Sequence, residues 1–220
     1  MGDLFSDAPG WLATYQPGQI IFDEGDDASY MYRVESGCVR LQVNGADGER
    51  QIISFLFKGE LFGYAVGNRQ IAAEAVNETV VRCWSISSIL ALGTRRPEVA
   101  IELVRVADRH FGNVAQHLQR VARLTAADRV RWFFSGLVSC DGLHRRDGHL
   151  DLPMRRRDIA DYLGLTPETL SRSILELEED GFLERKGRKG FSLHGPSLEL
   201  KVKSLDELKI VSRERQDVMG

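Results

Sequence analysis

Glu168, Ser171 and Arg172 are the side chains whose types and spacing best fit a chemical task in this chain. Residues three and four positions apart lie on one face of a helix. A guanidinium can fork onto the two acceptors of guanine, a carboxylate can accept from the cytosine amino group, and a hydroxyl can bond to either neighbour. Because Glu168 and Arg172 are four residues apart, the carboxylate can hold the guanidinium in position, and a plain surface ion pair is the alternative. The group is suited to reading base edges.

The residues around this trio predict two short helices joined by a tight turn. The first helix is expected over 156–163, and Gly164 is expected to make the turn. Thr166 is a suitable N-cap for the second helix, and Pro167 fits its first position, where a missing N–H is harmless. Gly181 is expected to stop the second helix. Its buried stripe is predicted to consist of Leu170, Ile174 and Leu177.

A basic hairpin is predicted after the second helix. Apolar runs at 182–185 and 191–194 flank a cationic tip that contains Arg188 and Lys189. Helix, turn, helix and basic hairpin together predict a winged helix-turn-helix, and the clustered bases can form a cationic face for the phosphates of double-stranded DNA. Arg188 and Lys189 are candidate phosphate contacts.

An a/d heptad repeat begins soon after Pro97. Its apolar residues recur at alternating gaps of four and three, which favours a long helix that pairs with a second copy of the chain. The alternative is an amphipathic helix that lies on its own domain. Ile101, Leu103 and Val106 fall off the repeat and are expected to hold the helix against its own N-terminal unit. The repeat, called the heptad stripe below, consists of Ala100, Val104, Ala107, Phe111, Val114, Leu118 and Val121.

From about Trp11 to Trp84 the residue pattern is that of a β unit, and the pattern changes at Gly93. Short apolar or alternating runs are separated by glycine-containing turns, which predicts a sandwich, barrel or jelly roll. Strands are predicted at 19–22, 30–35, 39–43, 51–57 and 79–85. After the heptad stripe, Thr125 is a plausible N-cap for a helix over 126–137.

Composition and charge exclude several classes of protein. Hydrophobic residues make up 43% of the 220, and the net charge is −3, so neither a histone-like nor a low-complexity chain fits. The net charge is −6 over residues 1–93 but +4 over 94–149, which suggests two units with different partners. No apolar run is long enough to span a bilayer, and the acidic N-terminus does not resemble a signal peptide. Three cysteines are too few for a disulfide framework, so we expect a cytoplasmic protein.

The segment from Leu152 to Arg172 closely resembles the helix-turn-helix of the CRP/FNR superfamily, specifically its FixK/FNR-type branch. In the N-terminal half, turns such as Pro17-Gly18, Ser36-Gly37 and the Gly59–Gly63 segment are similar to those of the cyclic-nucleotide-binding-type β-roll of that superfamily. The resemblance implies an α+β fold: a β-roll (jelly roll) over 1–93, a dimerisation helix over 94–124 and a winged helix-turn-helix over 125–220.

The resemblance also implies a function. It implies a homodimeric transcription regulator, an activator in most of the family, that works with RNA polymerase on genes for low-oxygen respiration, nitrogen-oxide metabolism or nitrogen fixation. Glu168, Ser171 and Arg172 match the residues that read a TTGAT…ATCAA palindrome in such regulators. Arg156, Thr166 and Thr169 match positions that usually touch phosphates.

Departures from family patterns bear on ligands. The ribose carboxylate and phosphate arginine of cyclic-AMP receptors are not in register here, and Arg69 is displaced, so cyclic-nucleotide binding is not expected. Three cysteines cannot supply the four thiolates of an iron–sulfur cluster. We expect no cofactor, no metal site and, without a catalytic motif, no enzyme activity. Two alternatives are left open: a sensor that responds to haem or another small molecule, and a signalling adaptor that uses the wing and the β-roll for protein contacts, with DNA binding vestigial.

Overall fold

Short strands make up most of the first 85 residues, and helices dominate thereafter. The computed structural model describes residues 4–45, 50–138, 140, 143, 149–187 and 190–194. The strands are β1 (Gly10–Tyr15), β2 (Ile20–Phe22), β3 (Tyr30–Ser36), β4 (Val39–Asn44), β5 (Arg50–Leu56), β6 (Leu61–Phe62), β7 (Ala72–Ala75), β8 (Thr79–Ser85), β9 (Leu150–Asp151), β10 (Leu183–Lys186) and β11 (Gly190–Leu193). The helices are α1 (Ile86–Arg95), α2 (Pro97–Arg123), α3 (Ala126–Leu137), α4 (Arg156–Leu163) and α5 (Pro167–Glu179).

Two four-stranded antiparallel sheets form the N-terminal unit, in the orders β1-β8-β3-β6 and β2-β7-β4-β5. Alternating apolar side chains from both sheets meet between them, as in β3, where Tyr32 and Val34 are 6% and 0% exposed. This arrangement confirms the β-roll. Strands β1, β6 and β7 were not predicted. The Ala72–Ala75 segment of β7 has weak intrinsic strand preference and is held by its neighbours β2 and β4.

The last strand of the β unit ends at Ser85, in agreement with the strand predicted over 79–85. Strand β8 ends at Ser85, whose side chain accepts from the Ser88 amide and caps α1, a helix that the sequence pattern did not reveal. Gly93, where the texture changes, lies inside this helix. Helix α1 then packs beside α2 through the buried residues Leu92 and Val99.

Helix α2 extends over 27 residues and presents two different faces. Val99 and Val106 are buried against α1 and the β unit, and Leu103 packs partly against the same cluster. The prediction for Ile101 was wrong, since this side chain is 52% exposed. At about 100° per residue, position 101 lies roughly 200° from Val99, on the opposite side of the helix.

The C-terminal unit contains α3, α4, α5 and a small sheet of order β10-β11-β9. Its helices begin where they were predicted to, α3 and α5 after their caps Thr125 and Thr166 and α4 at Arg156. The unit shares one apolar core with the β-roll: the Phe55 ring of β5 lies 6.3 Å from Phe133 and 5.4 Å from Tyr162 between ring centroids. Among the residues described, no helix is long and apolar enough to cross a bilayer.

Candidate nucleic-acid interface

A glycine turn sets the angle between α4 and α5. Gly164 follows α4 with a φ of 63°, a left-handed conformation that glycine adopts without a side-chain penalty. The Leu165 amide donates to the Ala160 carbonyl at 3.0 Å and closes the end of α4. A side chain at position 164 would also approach Val121 of α2, with its Cβ 3.3 Å from Cγ1. The turn is therefore held close to the end of the long helix.

The N-terminus of α5 is well organised. The Thr166 hydroxyl accepts from the Thr169 amide at 3.2 Å, which confirms the predicted cap. The Ser171 hydroxyl donates to the Pro167 carbonyl at 2.8 Å. On the inner face Leu170, Ile174 and Leu177 are each at most 1% exposed, and this rigid packing holds the outer face in place.

The three predicted base-reading side chains, Glu168, Ser171 and Arg172, are all exposed on the outer face of α5. The expected ion pair between Glu168 and Arg172 does not form: no hydrogen bond or ion pair to another described residue engages either charge. An exposed i,i+4 pair gains only about 0.3–0.5 kcal/mol, too little to fix two long side chains. Both charged groups are consequently open to an outside partner.

The predicted phosphate contacts differ in their surroundings. Thr166 is exposed and Thr169 half-buried, both at the positive end of the α5 dipole. Arg156 is half-buried at the start of α4, with its guanidinium 4.8 Å above the Phe191 ring centroid. Burial, and secondarily the charge of Arg185, lowers the pKa of Arg156. Its Nη1 atom has no hydrogen-bond partner among the described residues.

Several charged side chains of the wing form ion pairs within the protein. Arg185 of β10 donates to both carboxylate oxygens of Glu178 on α5, at 2.9 and 3.2 Å. Glu184 pairs with Lys186 and His194. The predicted contacts Arg188 and Lys189 lie outside the described residues.

Arg129 of α3 links the long helix to the helix-turn-helix. Its Nε donates to the Leu124 carbonyl at the end of α2 at 3.1 Å. Its Nη1 donates to the Leu163 carbonyl at 3.1 Å and to the Gly164 carbonyl at 3.4 Å. One guanidinium thereby ties together the end of α2 and the turn that orients α5.

Two arginines of the β-roll hold α4 through its aspartates. Asp158, with a side chain only 4% exposed, accepts from Arg50 at 2.7 Å and lies 3.2 Å from Arg40. Arg50 also pairs with Asp161 at 2.8 Å. Asp158 in addition accepts from the Arg155 amide at 3.2 Å, so it caps α4 as well. The β4–β5 hairpin and α4 are joined by charge as well as by the shared core.

An aromatic cluster lies where α2 passes α3 and α4. The His117 ring of α2 stacks on Tyr162 at 4.2 Å between centroids, with an interplanar angle of 10°. Arg120 lies 4.3 Å above the Trp132 ring. Burial lowers the pKa of His117 and raises the pKa of Tyr162 to about 12. Both groups are therefore held in their neutral forms near neutral pH.

A cavity of about 380 Å³ separates the β-roll from α2. Arg69 lies against it, but its guanidinium stacks 3.7 Å above Phe22 and donates to the carbonyls of Gly63 and Tyr30, each at 2.8 Å. Nearby, the Tyr64 hydroxyl is hydrogen-bonded to a His110 ring nitrogen. Burial lowers the pKa of His110. No cluster of side chains suited to a metal ion occurs among the described residues.

The architecture is that of a β-roll regulator with a C-terminal winged helix-turn-helix, and comparison with known proteins agrees. The cyclic nucleotide-binding domain family matches residues 12–91, and the Crp-like helix-turn-helix domain family matches residues 117–197. The nitrogen fixation regulation protein FixK of Rhizobium meliloti is 36% identical over 199 residues, 89% of each chain. The transcriptional activatory protein AadR of Rhodopseudomonas palustris is 33% identical over 170 residues, 76% of this chain and 70% of that one.

A solved structure gives the same result. FixK2 from Bradyrhizobium japonicum superposes with a TM-score of 0.79 at 33% identity, over 85% of this chain and 93% of that one. The chain therefore belongs to the CRP/FNR superfamily, in its FixK/FNR-type branch. It is a transcription regulator with a DNA-binding helix-turn-helix and a cyclic-nucleotide-binding-like domain.

Sequence reasoning missed the residues that place the helix-turn-helix on the rest of the molecule. Arg40 and Arg50 lie more than 100 residues from Asp158, and no local signal connects them. Arg129 was part of a predicted helix, but a hydrogen bond to a turn 35 residues away cannot be inferred from spacing.

Proposed function

We propose that this protein is a homodimeric activator that reads a TTGAT…ATCAA-type palindrome and controls genes for low-oxygen respiration, nitrogen-oxide metabolism or nitrogen fixation. The observation that carries the proposal is the outer face of α5, where Glu168, Ser171 and Arg172 are exposed on a firmly packed helix. Recognition helices offer the N-terminal part of such a face to the major groove. The similarity to a nitrogen fixation regulation protein and to a transcriptional activatory protein supports the biological role.

Each proposed base-reading side chain has an unused hydrogen-bond donor or acceptor that suits its base. Arg172, which has no ion pair with another described residue, can donate to guanine O6 and N7, and Glu168 can accept from a cytosine amino group. The Ser171 oxygen, whose proton is used by the Pro167 carbonyl, remains an acceptor. We assign these three residues to base reading.

Phosphates on either side of the groove would meet Arg156, Thr166 and Thr169. The threonine hydroxyls lie at the N-terminus of α5, where the positive end of the helix dipole attracts anions. Arg156 is half-buried, and its guanidinium, whose Nη1 atom has no partner among the described residues, would turn outward to gain a phosphate oxygen as acceptor. Arg188 and Lys189, which lie between β10 and β11 in the sequence, are proposed as further phosphate contacts.

The heptad stripe supports dimerisation. Val104, Phe111 and Leu118 are 68%, 76% and 69% exposed in a single chain, although they lie on one face of a long helix. Apolar side chains repeated over three heptads gain most by packing on a second copy. The whole stripe, Ala100, Val104, Ala107, Phe111, Val114, Leu118 and Val121, is proposed as the dimer interface. Two α5 helices would then reach successive major grooves.

DNA binding is tested with the palindrome and a scrambled duplex at several salt concentrations. Arg172→Ala is expected to lose about 1–3 kcal/mol on the palindrome with little change on the scrambled site. Arg156→Ala should weaken both duplexes alike and reduce the salt slope by about one. Arg95→Ala, which removes an exposed arginine of α1, is the matched control and should change neither. Equal losses on both duplexes for Arg172→Ala would refute the base-reading assignment.

Dimerisation is tested separately by sedimentation equilibrium. Phe111→Glu places a charge at the centre of the heptad stripe and should yield monomers at micromolar concentration, with loss of binding to the palindrome. Leu90→Glu, at a similarly exposed apolar position of α1, is the control and should remain dimeric. A wild-type protein that sediments as a monomer would refute the dimer.

A ligand-responsive regulator is the second candidate, and the cavity between the β-roll and α2 favours it. About 380 Å³ of space, bordered by apolar residues such as Leu41, Phe62 and Ile71, suits a small, mostly apolar molecule. Phe111 and Val114 of the heptad stripe also border this space, so an occupant would touch the dimer helix. A Soret band in the purified protein would identify haem, and mass spectrometry of the denatured protein would identify another retained molecule. A protein that purifies without either would count against this candidate.

A further inference from the structure

We propose that Leu175 is a fourth sequence-reading residue, one that packs its side chain against the C5 methyl group of a thymine in each half-site. The inference rests on the proposed function, because it extends the base-reading face of α5. Nothing in the polar trio Glu168, Ser171 and Arg172 recognises a thymine through its methyl group, and the proposed half-site is rich in thymine.

The exposure of Leu175 is out of keeping with the rest of its helix. The leucines and isoleucine of the inner face of α5 are at most 1% exposed, whereas Leu175 is 53% exposed. In the described part of the C-terminal unit, residues 125–194, Val138 is the one other large apolar side chain in this state. The core of the unit does not account for a leucine at this position.

Helix geometry places Leu175 in the middle of the base-reading face. At about 100° per residue, Ser171 and Arg172 lie about 60° and 40° to either side of Glu168. Leu175 lies about 20° from Glu168, between the other two directions. Along the axis it is about 4.5 Å beyond Arg172, less than one helical turn further. A helix that brings Arg172 to a base edge therefore carries Leu175 to the wall of the same groove.

The thymine methyl group is the one apolar feature that the major groove offers, and apolar side chains contact it there. Burying it against Leu175 removes apolar surface from water on both partners. A phosphate or sugar would give a leucine no comparable gain. The chemistry of the side chain thus selects thymine rather than the backbone.

Deoxyuridine tests the contact, because it removes the C5 methyl group and leaves base pairing unchanged. Palindromes are made in which each thymine of the half-site, on either strand, is replaced in turn and symmetrically. Wild-type protein should lose about fourfold in affinity per half-site, or about fifteenfold for the duplex, at one of these positions, the change expected for one buried methyl group. Leu175→Ala should bind the thymine and deoxyuridine duplexes equally at that position.

Two further variants serve as controls. Leu175→Met keeps an apolar side chain and should keep the discrimination, whereas Leu90→Ala, at an exposed leucine on α1, should behave as wild type throughout. Thermal unfolding is measured for all variants, and Leu175→Ala should unfold at the wild-type temperature, since its side chain is half-exposed.

The outcomes separate this inference from the function on which it rests. If wild-type protein prefers the palindrome but shows the same deoxyuridine losses as Leu175→Ala, or none at all, the role of Leu175 is refuted while the proposed function stands. If wild-type protein fails to prefer the palindrome to a scrambled duplex, the proposed function fails and the inference fails with it. The inference is supported if, at one position, Leu175→Ala binds the thymine and deoxyuridine duplexes equally while wild-type protein and both control variants prefer thymine.

Discussion

Removing the charge of Asp158 should loosen the attachment of the helix-turn-helix to the β-roll. Asp158→Asn keeps the shape of the side chain and one carbonyl oxygen for the Arg155 amide, so the cap of α4 survives. The substitution removes the negative charge that pairs with both Arg40 and Arg50, whose guanidinium nitrogens lie 3.2 and 2.7 Å from Oδ1 of Asp158.

The magnitude follows from burial. Breaking one partner of a fully buried ion pair costs about 3–5 kcal/mol. Here the aspartate side chain is 4% exposed, but the side chains of Arg40 and Arg50 are 12% and 25% exposed, so water compensates them in part. Arg40 also retains Glu74 at 2.6 Å, and Arg50 retains Asp161. We therefore expect a loss of about 2 kcal/mol in the free energy of unfolding.

Two comparisons isolate the effect. Asp161→Asn removes a pair in which the side chains are 25% and 21% exposed, and should cost about 0.5–1 kcal/mol, much of it suppressed by 1 M salt. Asp108→Asn, at an exposed position of α2, should change stability by less than about 0.5 kcal/mol. Urea unfolding at pH 7, in low salt and in 1 M salt, measures all three variants. A loss below about 0.5 kcal/mol for Asp158→Asn would refute the reasoning.

Other consequences of the structure can be measured in the same way. Gly93→Ala should stabilise the protein by up to about 1 kcal/mol, since a Cβ there meets nothing within 4 Å. Gly37→Ala should destabilise it, since the φ of Gly37 is 89° and a Cβ would lie 2.5 Å from a carbonyl oxygen. Chemical unfolding measures the free energy of unfolding of both variants. Arg129→Gln should lower affinity for the palindrome more than it lowers thermal stability, because the turn at Gly164 loses its tie to α2, and equal affinity would contradict this. Burial lowers the pKa of His117, so this side chain binds its proton at higher pH in the unfolded chain than in the folded one. Its contribution to the free energy of unfolding is complete above the unfolded-state pKa of about 6.5 and decreases below it, by at most about 1.4 kcal/mol per pH unit. His117→Phe should therefore reduce the pH dependence of the free energy of unfolding measured between pH 5 and 7.5.

Local signals in the sequence were sufficient for the recognition unit. The caps at Thr125 and Thr166 act on amides three residues away, so their positions determine where α3 and α5 begin. Gly164 likewise specifies a left-handed turn by itself. For the same reason the exposure of Glu168, Ser171 and Arg172 could be inferred from helical periodicity, while the absence of a pair between Glu168 and Arg172 could not.

The tertiary structure decided what depends on distant parts of the chain. Whether β7 forms, where Ile101 points and which arginines reach Asp158 are set by packing between segments that are far apart in sequence, and periodicity contains no information about such neighbours. A salt bridge across 108 residues exists because the β4–β5 hairpin and α4 share a core that holds the two charges in place. Local sequence therefore determined the outer face of α5 with Glu168, Ser171 and Arg172, whereas contacts between distant segments determined how the helix-turn-helix is attached to the β-roll.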